Sequence, residues 1–517
     1  MAARSSTAAP ARPGTRPAAP RPSAVAGAVA GLVAGLVLVL LLVVIVRLPW
    51  AGDLGMHAAT LQRLRHDLLD PGDPLVDADT PSPYYSPWTV LLGAVARVSG
   101  LSVFVVLRLA AVVSLGLLVT GVWRYTRTLG GHRAAPAPAL LSLLFLWGTA
   151  RFLWSGFLGL HSLALTVSYP STFTLGLAFH LWAWLTGALR RPDAGRWQWL
   201  GMGALWAVIL LCHQFSGVVA SVGAVATVLA ARPSRAVWPR LCAGLLLGTA
   251  VLWAWPYYDF FALLGAGNDL EIVHRVLYED LFARFGLALL GVAALAARWW
   301  RDRWDPLVAF FALGLLVVVA GWLTGHYSWG RALPAVLVPA QLAAALEVFE
   351  AGRRGLRAAW AVALAGALAV GAWTQAGAVG YVVPREALPA AVAAEYRQPW
   401  TGYYWITPWV RYGDVVMAEK HPARQIPAYG PYTVAPGYPD VFLPDERRRL
   451  AATREYFAKG TPGSVRRAVE RRYGVRWVVD ERGALPAAGL RPVARGPHGQ
   501  VLYAVPGGPG EPGSRVP

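Results

Sequence analysis

The chain has 517 residues, of which 56% are hydrophobic and 15% charged, and its mean hydropathy of +0.44 excludes an ordinary soluble domain. The formal charge of +19 is strewn through short connections and an Arg-rich amino-terminal tail, so it marks topology and excludes nucleic acid as the partner. A lipid bilayer is the solvent this composition requires.

Residues 1–23, rich in Pro, Ala, Ser and Arg, cannot bury a core and are expected to form a disordered cytoplasmic tail. The first apolar run, 24–48, is too long for a signal peptide, and no small-x-small cleavage site follows it. Crossing about 30 Å of hydrocarbon takes about 20 mostly apolar residues with every amide bonded within the helix. Ten further runs answer that need, at 101–123, 137–155, 170–189, 197–211, 213–231, 237–257, 281–299, 307–323, 332–349 and 358–377, giving about eleven spanning helices. The stretch 86–98 is too short to cross and is assigned to the outer interface or a re-entrant dip.

Arginine sets the orientation, because short cytoplasmic loops carry the excess of positive charge. Arg12, Arg16 and Arg21 precede the first run, and clusters at 124–133, 190–196, 232–240, 298–303 and 353–357 recur at every second connection. These ends and the amino terminus belong inside. The connections bearing Asp53, Asp70, Asp73, Asp77 and Asp79, and then Asp259, Asp269 and Glu271, belong outside. Eleven crossings then place residues 385–517 outside the cell membrane.

Two outer elements are large enough to act. In the first outer loop, 49–85, Leu54, Ala58, Leu61, Arg65 and Leu68 recur at helical spacing, which predicts an amphipathic helix lying on the membrane with its apolar stripe down. Asp53 and His57, four residues apart, fall on one face of it. Beyond residue 384 the long apolar runs stop. Strands at 414–417 and 475–479, helices at 445–459 and 464–473, and a hairpin of 490–493 with 501–505 predict a small α/β domain on the outer mouth. The fold class is therefore mainly α: a polytopic domain over 24–384 with a small soluble α/β domain over 385–517. Cys212 and Cys242 fall near opposite helix ends, too far apart for a disulfide, and no Cys/His cluster has zinc spacing.

The residues that can carry chemistry stand near the outer helix ends, since ionisable groups at membrane depth are costly and mark function. Asp53 either takes a proton from a hydroxyl acceptor or holds a divalent cation, or else it caps the amphipathic helix. His57 either assists it or is a surface histidine. Asp77 and Asp79 have the spacing of a metal-ligand pair, but a solvated acidic loop is the reading they favour. Arg108, about 10 Å into its helix, either meets a lipid phosphate or snorkels to the interface. Arg331, beside His326 and Tyr327, is a second partner for that phosphate or an interfacial anchor. Arg151, His161, Tyr169, His213 and Gln214 lie at other outer ends, and Tyr84, Tyr85, Trp88, Trp405 and Trp409 suit either a sugar ring or the interfacial aromatic belt.

The order of parts then becomes recognisable. One helix leads to an outer loop opening with Asp53 and a juxtamembrane helix, then to Tyr84-Tyr85-Ser86-Pro87-Trp88-Thr89-Val90-Leu91-Leu92, then to Gly100-Leu101-Ser102 with Arg108. This resembles the membrane glycosyltransferases of the GT-C fold, which include protein O-mannosyltransferases, aminoarabinose transferases and oligosaccharyltransferases. Gly413-Asp414-Val415-Val416 and Arg472-Tyr473-Gly474-Val475-Arg476-Trp477-Val478-Val479 look like the tails of bacterial relatives. The resemblance implies inverting transfer of a sugar from a polyprenyl-phosphate donor to a glycan, lipid or protein acceptor on the outer face. Asp53 matches the superfamily's first-loop acidic residue, a general base or metal ligand, but lacks the second acidic neighbour of many relatives. The competing classes are a transporter or lipid flippase, for which matched halves and midplane polar groups would be expected, and a non-catalytic envelope assembly protein.

Overall fold

The computed structural model describes residues 22–191, 195–265, 269–483, 485 and 489–506. The tail expected at 1–23 lies, up to residue 21, outside the described residues. Helices follow one another as α1 (Pro22–Arg47), α2 (Leu54–His66), α3 (Pro87–Ser99), α4 (Val103–Leu129), α5 (Pro136–Phe145), α6 (Leu160–Thr166), α7 (Pro170–Leu189), α8 (Arg196–Cys212), α9 (Gln214–Ala231), α10 (Trp238–Trp253), α11 (Asp269–His274), α12 (Leu281–Phe285), α13 (Leu289–Arg301), α14 (Pro306–Thr324), α15 (Pro334–Glu350) and α16 (Arg354–Thr374). Among the described residues nine helical stretches are long and apolar enough to cross a membrane. The chain is a multi-pass membrane protein. Each of the nine coincides with an expected span, and the shorter α5 and α8 occupy the other two places. Helix α3, with 13 residues, reaches only about 20 Å and does not span. A Ser86–Thr89 capping box starts it and left-handed Gly100 stops it.

The run 137–155 departs from the continuous helix expected of it: α5 stops at Phe145 and an irregular segment carries the chain on to Gly159. Protein groups take over the bonds a helix would have supplied. The Gln375 amide donates to the Leu144 carbonyl at 2.8 Å and that of Gln341 to Leu146 at 2.9 Å. Thr149 and Ala150 donate to the carbonyl of Ala283, and Leu287 donates to that of Trp147. Two broken helices thus satisfy each other inside the bundle, the one setting in which irregular backbone survives at membrane depth. Gly148 permits the approach, since a β-carbon there would lie 2.2 Å from the Ala283 oxygen.

The arginine-bearing connections gather at one end of the bundle. Arg190 donates to the Thr128 carbonyl at 2.9 Å, and the Arg232 guanidinium lies 3.6 Å over the Trp304 ring. Arg298 joins Asp305 at 2.8 Å and Glu350 at 2.7 Å, while Glu347 also takes Arg301. The first loop and the carboxy-terminal part meet at the opposite end.

That carboxy-terminal part contains α17 (Ala390–Glu395), α18 (Lys420–Ala423), α19 (Glu446–Phe457) and α20 (Gly463–Arg472), with strands β1 (Val415–Ala418), β2 (Tyr432–Thr433), β3 (Val475–Asp480), β4 (Arg491–Arg495) and β5 (Val501–Ala504). The sheet order is β2-β1-β3-β5-β4, with β2, β1 and β3 parallel and β5 antiparallel to both neighbours. Strand alternation gives it two apolar faces. Val416, Trp477, Val479 and Leu502 pack on Tyr403 and Ile406, and Met417, Val478 and Tyr503 pack on Tyr456 and Val469.

Helix α2 also departs from expectation. Nearly its whole circumference is buried, between α3 and α4 on one side and the turn Ile426–Tyr429 on the other, rather than resting on a membrane surface. Its buried Arg63 donates to the carbonyls of Gly430 and Pro431 at 2.7 and 2.8 Å, and its guanidinium stacks 3.6 Å from the Tyr432 ring. Arg63, outside the expected apolar stripe, therefore anchors the helix to the sheet domain. Cys212 and Cys242 are both free thiols.

Candidate functional site

Asp53 stands at the amino-terminal boundary of α2, yet its side chain makes no capping hydrogen bond. The carboxylate is left free for other work. Its backbone is held from three directions. The Tyr169 hydroxyl donates to the Ala51 carbonyl, the Tyr438 hydroxyl donates to that of Gly52 at 2.6 Å, and the amide of Trp400 donates to that of Trp50 at 2.7 Å. Two of those anchors come from the carboxy-terminal part. Contact is so close that a β-carbon on Gly55 would lie 1.9 Å from the Arg424 carbonyl oxygen, so no other residue fits.

Two guanidiniums, those of Arg331 and Arg424, face Asp53. Neither forms an ion pair with it, so a gap separates the charges. Burial raises the Asp53 carboxyl above its ordinary range, and Arg331 and then Arg424 pull it back. His57, one turn along α2, is buried and meets the Tyr169 ring edge-on at 4.7 Å. Burial depresses its pKa to about 3, so the ring is uncharged at neutral pH.

Arg331 is the unusual member. It is only 7% exposed, its guanidinium lies 4.7 Å over the Phe215 ring and 5.7 Å from that of Trp154, and its Nε has no partner among the described residues. His213 Nε2 lies 3.5 Å from its Nη2. The Nδ1 of that histidine accepts the Ser216 amide at 3.1 Å, which places the proton of the neutral ring on Nε2. Two N–H donors, Arg331 Nη2 and His213 Nε2, thus lie 3.5 Å apart, an arrangement that suits an oxyanion. An apolar groove of about 570 Å³, lined by Tyr278, Phe282, Phe285, Val318, Trp322 and Leu333, runs between α12, α14 and α15. Leu333 is two residues from Arg331.

Asp53, His57, Tyr169 and Arg331 thus converge, and Tyr84 joins their margin by donating to the Pro439 carbonyl at 3.1 Å. Other candidates do not. Arg108 donates to Val46 at 2.9 Å and Phe104 at 3.3 Å, closing the ends of α1 and α4. His326 is exposed and bonds Thr324, and Tyr85 donates to the Gly72 carbonyl at 2.8 Å. Arg151 pairs with Glu395, while Asp77 and Asp79 are exposed. Arg424 and Tyr438 escaped the sequence reading because nothing local marks them; chain distance hides their approach to Asp53. Among the described residues no three His, Cys, Asp or Glu side chains converge on one point. With two guanidiniums facing a single carboxylate, the residues present do not fit a divalent cation at Asp53.

No family model matches the chain, and no curated protein matches it significantly. Solved structures do. The arabinofuranosyltransferase AftD from Mycobacteria is 18% identical over 93% of this chain and 40% of its own, with a TM-score of 0.50, and a point mutant of that enzyme gives 0.54 over 41% of its length. This chain therefore spans about two fifths of those proteins. The archaeal oligosaccharyltransferase AglB from Archaeoglobus fulgidus, in complex with an inhibitory peptide and a dolichol-phosphate, is 14% identical over 87% of this chain and 69% of its own, with a TM-score of 0.42. At such identities the likeness to AftD shows the fold alone.

Proposed function

We propose that the chain is a membrane glycosyltransferase that moves a sugar from a polyprenyl-phosphate donor to a hydroxyl acceptor on the extracytoplasmic face. One observation carries this reading: an unspent carboxylate, Asp53, faces a buried and unpaired guanidinium, Arg331, across a gap. The acceptor hydroxyl attacks the anomeric carbon of the donor sugar, the carbon–phosphate-oxygen bond breaks with inversion, and the hydroxyl proton passes to Asp53. Negative charge then grows on the departing phosphate, where Arg331 and the Nε2–H of His213 stand ready. The groove along Leu333 and Trp322 takes the lipid tail, which enters sideways from the bilayer. That the arginine-rich connections fall at the opposite end of the bundle supports, under the positive-inside rule, an outer position for the site and the sheet domain.

A transporter would place its polar site near the bilayer midplane, between helices. Here the charged groups that converge lie at one end. The lipids of cells lacking the protein test the reading: an accumulated polyprenyl-phosphate sugar, cleared when the intact chain is restored, is the expected result. An unchanged lipid profile overturns it.

A further inference from the structure

At the carboxyl-terminal edge of the parallel strands β1 and β3, a chain of polar side chains has no place in the reaction above. Tyr403 donates to Glu481 Oε1 at 2.8 Å, and His421 Nδ1 meets the same oxygen at 3.0 Å. The amide of Gln500 donates to the Tyr403 hydroxyl at 3.2 Å, and that of Gln425 approaches His421 Nε2 at 3.3 Å. These links fix the direction of every bond. The carboxylate takes the Nδ1 proton of His421, an Nε2 lone pair is met by the Gln425 amide, and each amide nitrogen spends one of its two N–H donors here.

What remains unsatisfied is of one kind. Gln425 is 1% exposed and Gln500 8%, and the Oε1 of each has no partner. Glu481 Oε2 takes no bond among the described residues either, since both contacts use Oε1. Two of these acceptors are buried without donors, a costly state, and the third belongs to a carboxylate whose side chain is 25% exposed. Such acceptors are met by a molecule that brings several O–H donors. The ring of Trp400, edge-on to His421 at 5.0 Å, offers an apolar wall beside them. Crevices outside the carboxyl ends of parallel strands are where α/β sheets take ligands.

This end of the sheet adjoins the Asp53 site through two direct links. Trp400 bonds the Trp50 carbonyl, and Arg424, the residue before Gln425, faces Asp53. We propose that this end of the sheet opens into a subsite for a neutral sugar unit of the acceptor, bound through its hydroxyl protons by Gln425, Gln500 and Glu481 against Trp400. His421, with its side chain 51% exposed, is the member that turns aside to admit the ligand. An acceptor longer than one sugar then spans both places, its reacting hydroxyl at Asp53 and a second ring at the sheet end. The naming of the ligand as acceptor rests on the glycosyl-transfer reading; the site itself rests on the unfilled acceptors.

The test is binding of neutral di- to tetrasaccharides of arabinofuranose and mannose to the full-length protein in nanodiscs, followed by tryptophan fluorescence up to about 10 mM. Expected is saturable binding of one series, weakened about tenfold by Gln425→Met or by Gln500→Met, with melting temperatures near that of the unaltered protein, and retained by Asp53→Asn. No saturable binding of any member, or binding by both folded glutamine variants equal to that of the unaltered protein, overturns the proposal. Sugar transfer by Asp53→Asn at the normal rate would instead overturn the reading of Asp53 and leave the binding result standing.

Discussion

Asp53 and Arg331 do opposite things with burial. The carboxyl is raised by desolvation, which brings a base closer to the operating pH and improves its use as a proton acceptor. The guanidinium, packed on Phe215, keeps its charge and is short of partners, so it is pre-organised for the charge that develops on leaving. The acid limb of the transfer rate is therefore expected above the usual carboxylate range, because activity disappears as pH falls through the raised Asp53 value; a limb near pH 4, the ordinary aspartate value, contradicts it. Arg331→Met should lower kcat by about a hundredfold or more, whereas Arg108→Met, whose carbonyl partners lie at helix ends, should leave kcat within a few-fold. Both charged residues at the centre could be singled out from the sequence by their places near outer helix ends. The free state of Asp53 could not, because the local pattern of an acidic residue before a helix is also that of a cap.

Helix α2 shows why an element can be found in a sequence and its surroundings missed. Its period was legible from Leu54, Ala58 and Leu61, but the same stripe packs on protein as well as on lipid, and the partner turn Ile426–Tyr429 lies hundreds of residues on. The break of α5 was illegible for a related reason. The run 137–155 is apolar throughout, and the groups that replace its helical bonds, Gln341 and Gln375, belong to distant parts of the chain. The sheet strands 415–418 and 475–480 lay close to where alternation and β-branched residues put them. Around α2 the loop is fastened to the sheet domain by a second device. Asp73 and Asp440, 1% and 2% exposed, are buried side by side. Burial and then the neighbouring Asp73 carboxylate push Asp440 up to about 8, and Asp73 is raised as well, chiefly by burial. A carboxyl whose folded pKa exceeds its unfolded value stabilises the fold below about pH 4, and that contribution is lost as pH climbs through about 8. The melting temperature should therefore fall between about pH 5 and 9, and Asp440→Asn should flatten the slope; a slope unaltered by that substitution contradicts the assignment.

Taken whole, the molecule separates its charges by end. The arginine-bearing end is closed by structural pairing: Arg298 holds Asp305 and Glu350, and Glu347, 1% exposed at its side chain, is shared with Arg301. Removing one side of such a cluster strands buried charge, so Arg298→Met should destabilise the protein by about 3–5 kcal/mol, read as thermal unfolding in detergent; a loss under about 1 kcal/mol contradicts a buried network. At the opposite end the buried guanidinium is unpaired and the carboxylate facing it is free, which is the asymmetry expected when one end holds the fold and the other holds the site. The measurement that bears most directly on the account is transfer by the purified protein, with Asp53 replaced by Asn, from a polyprenyl-phosphate sugar. The predicted result is a kcat lowered by about a thousandfold, with the donor KM within a few-fold and the melting temperature unchanged. A folded Asp53→Asn protein that transfers sugar at the normal kcat contradicts it.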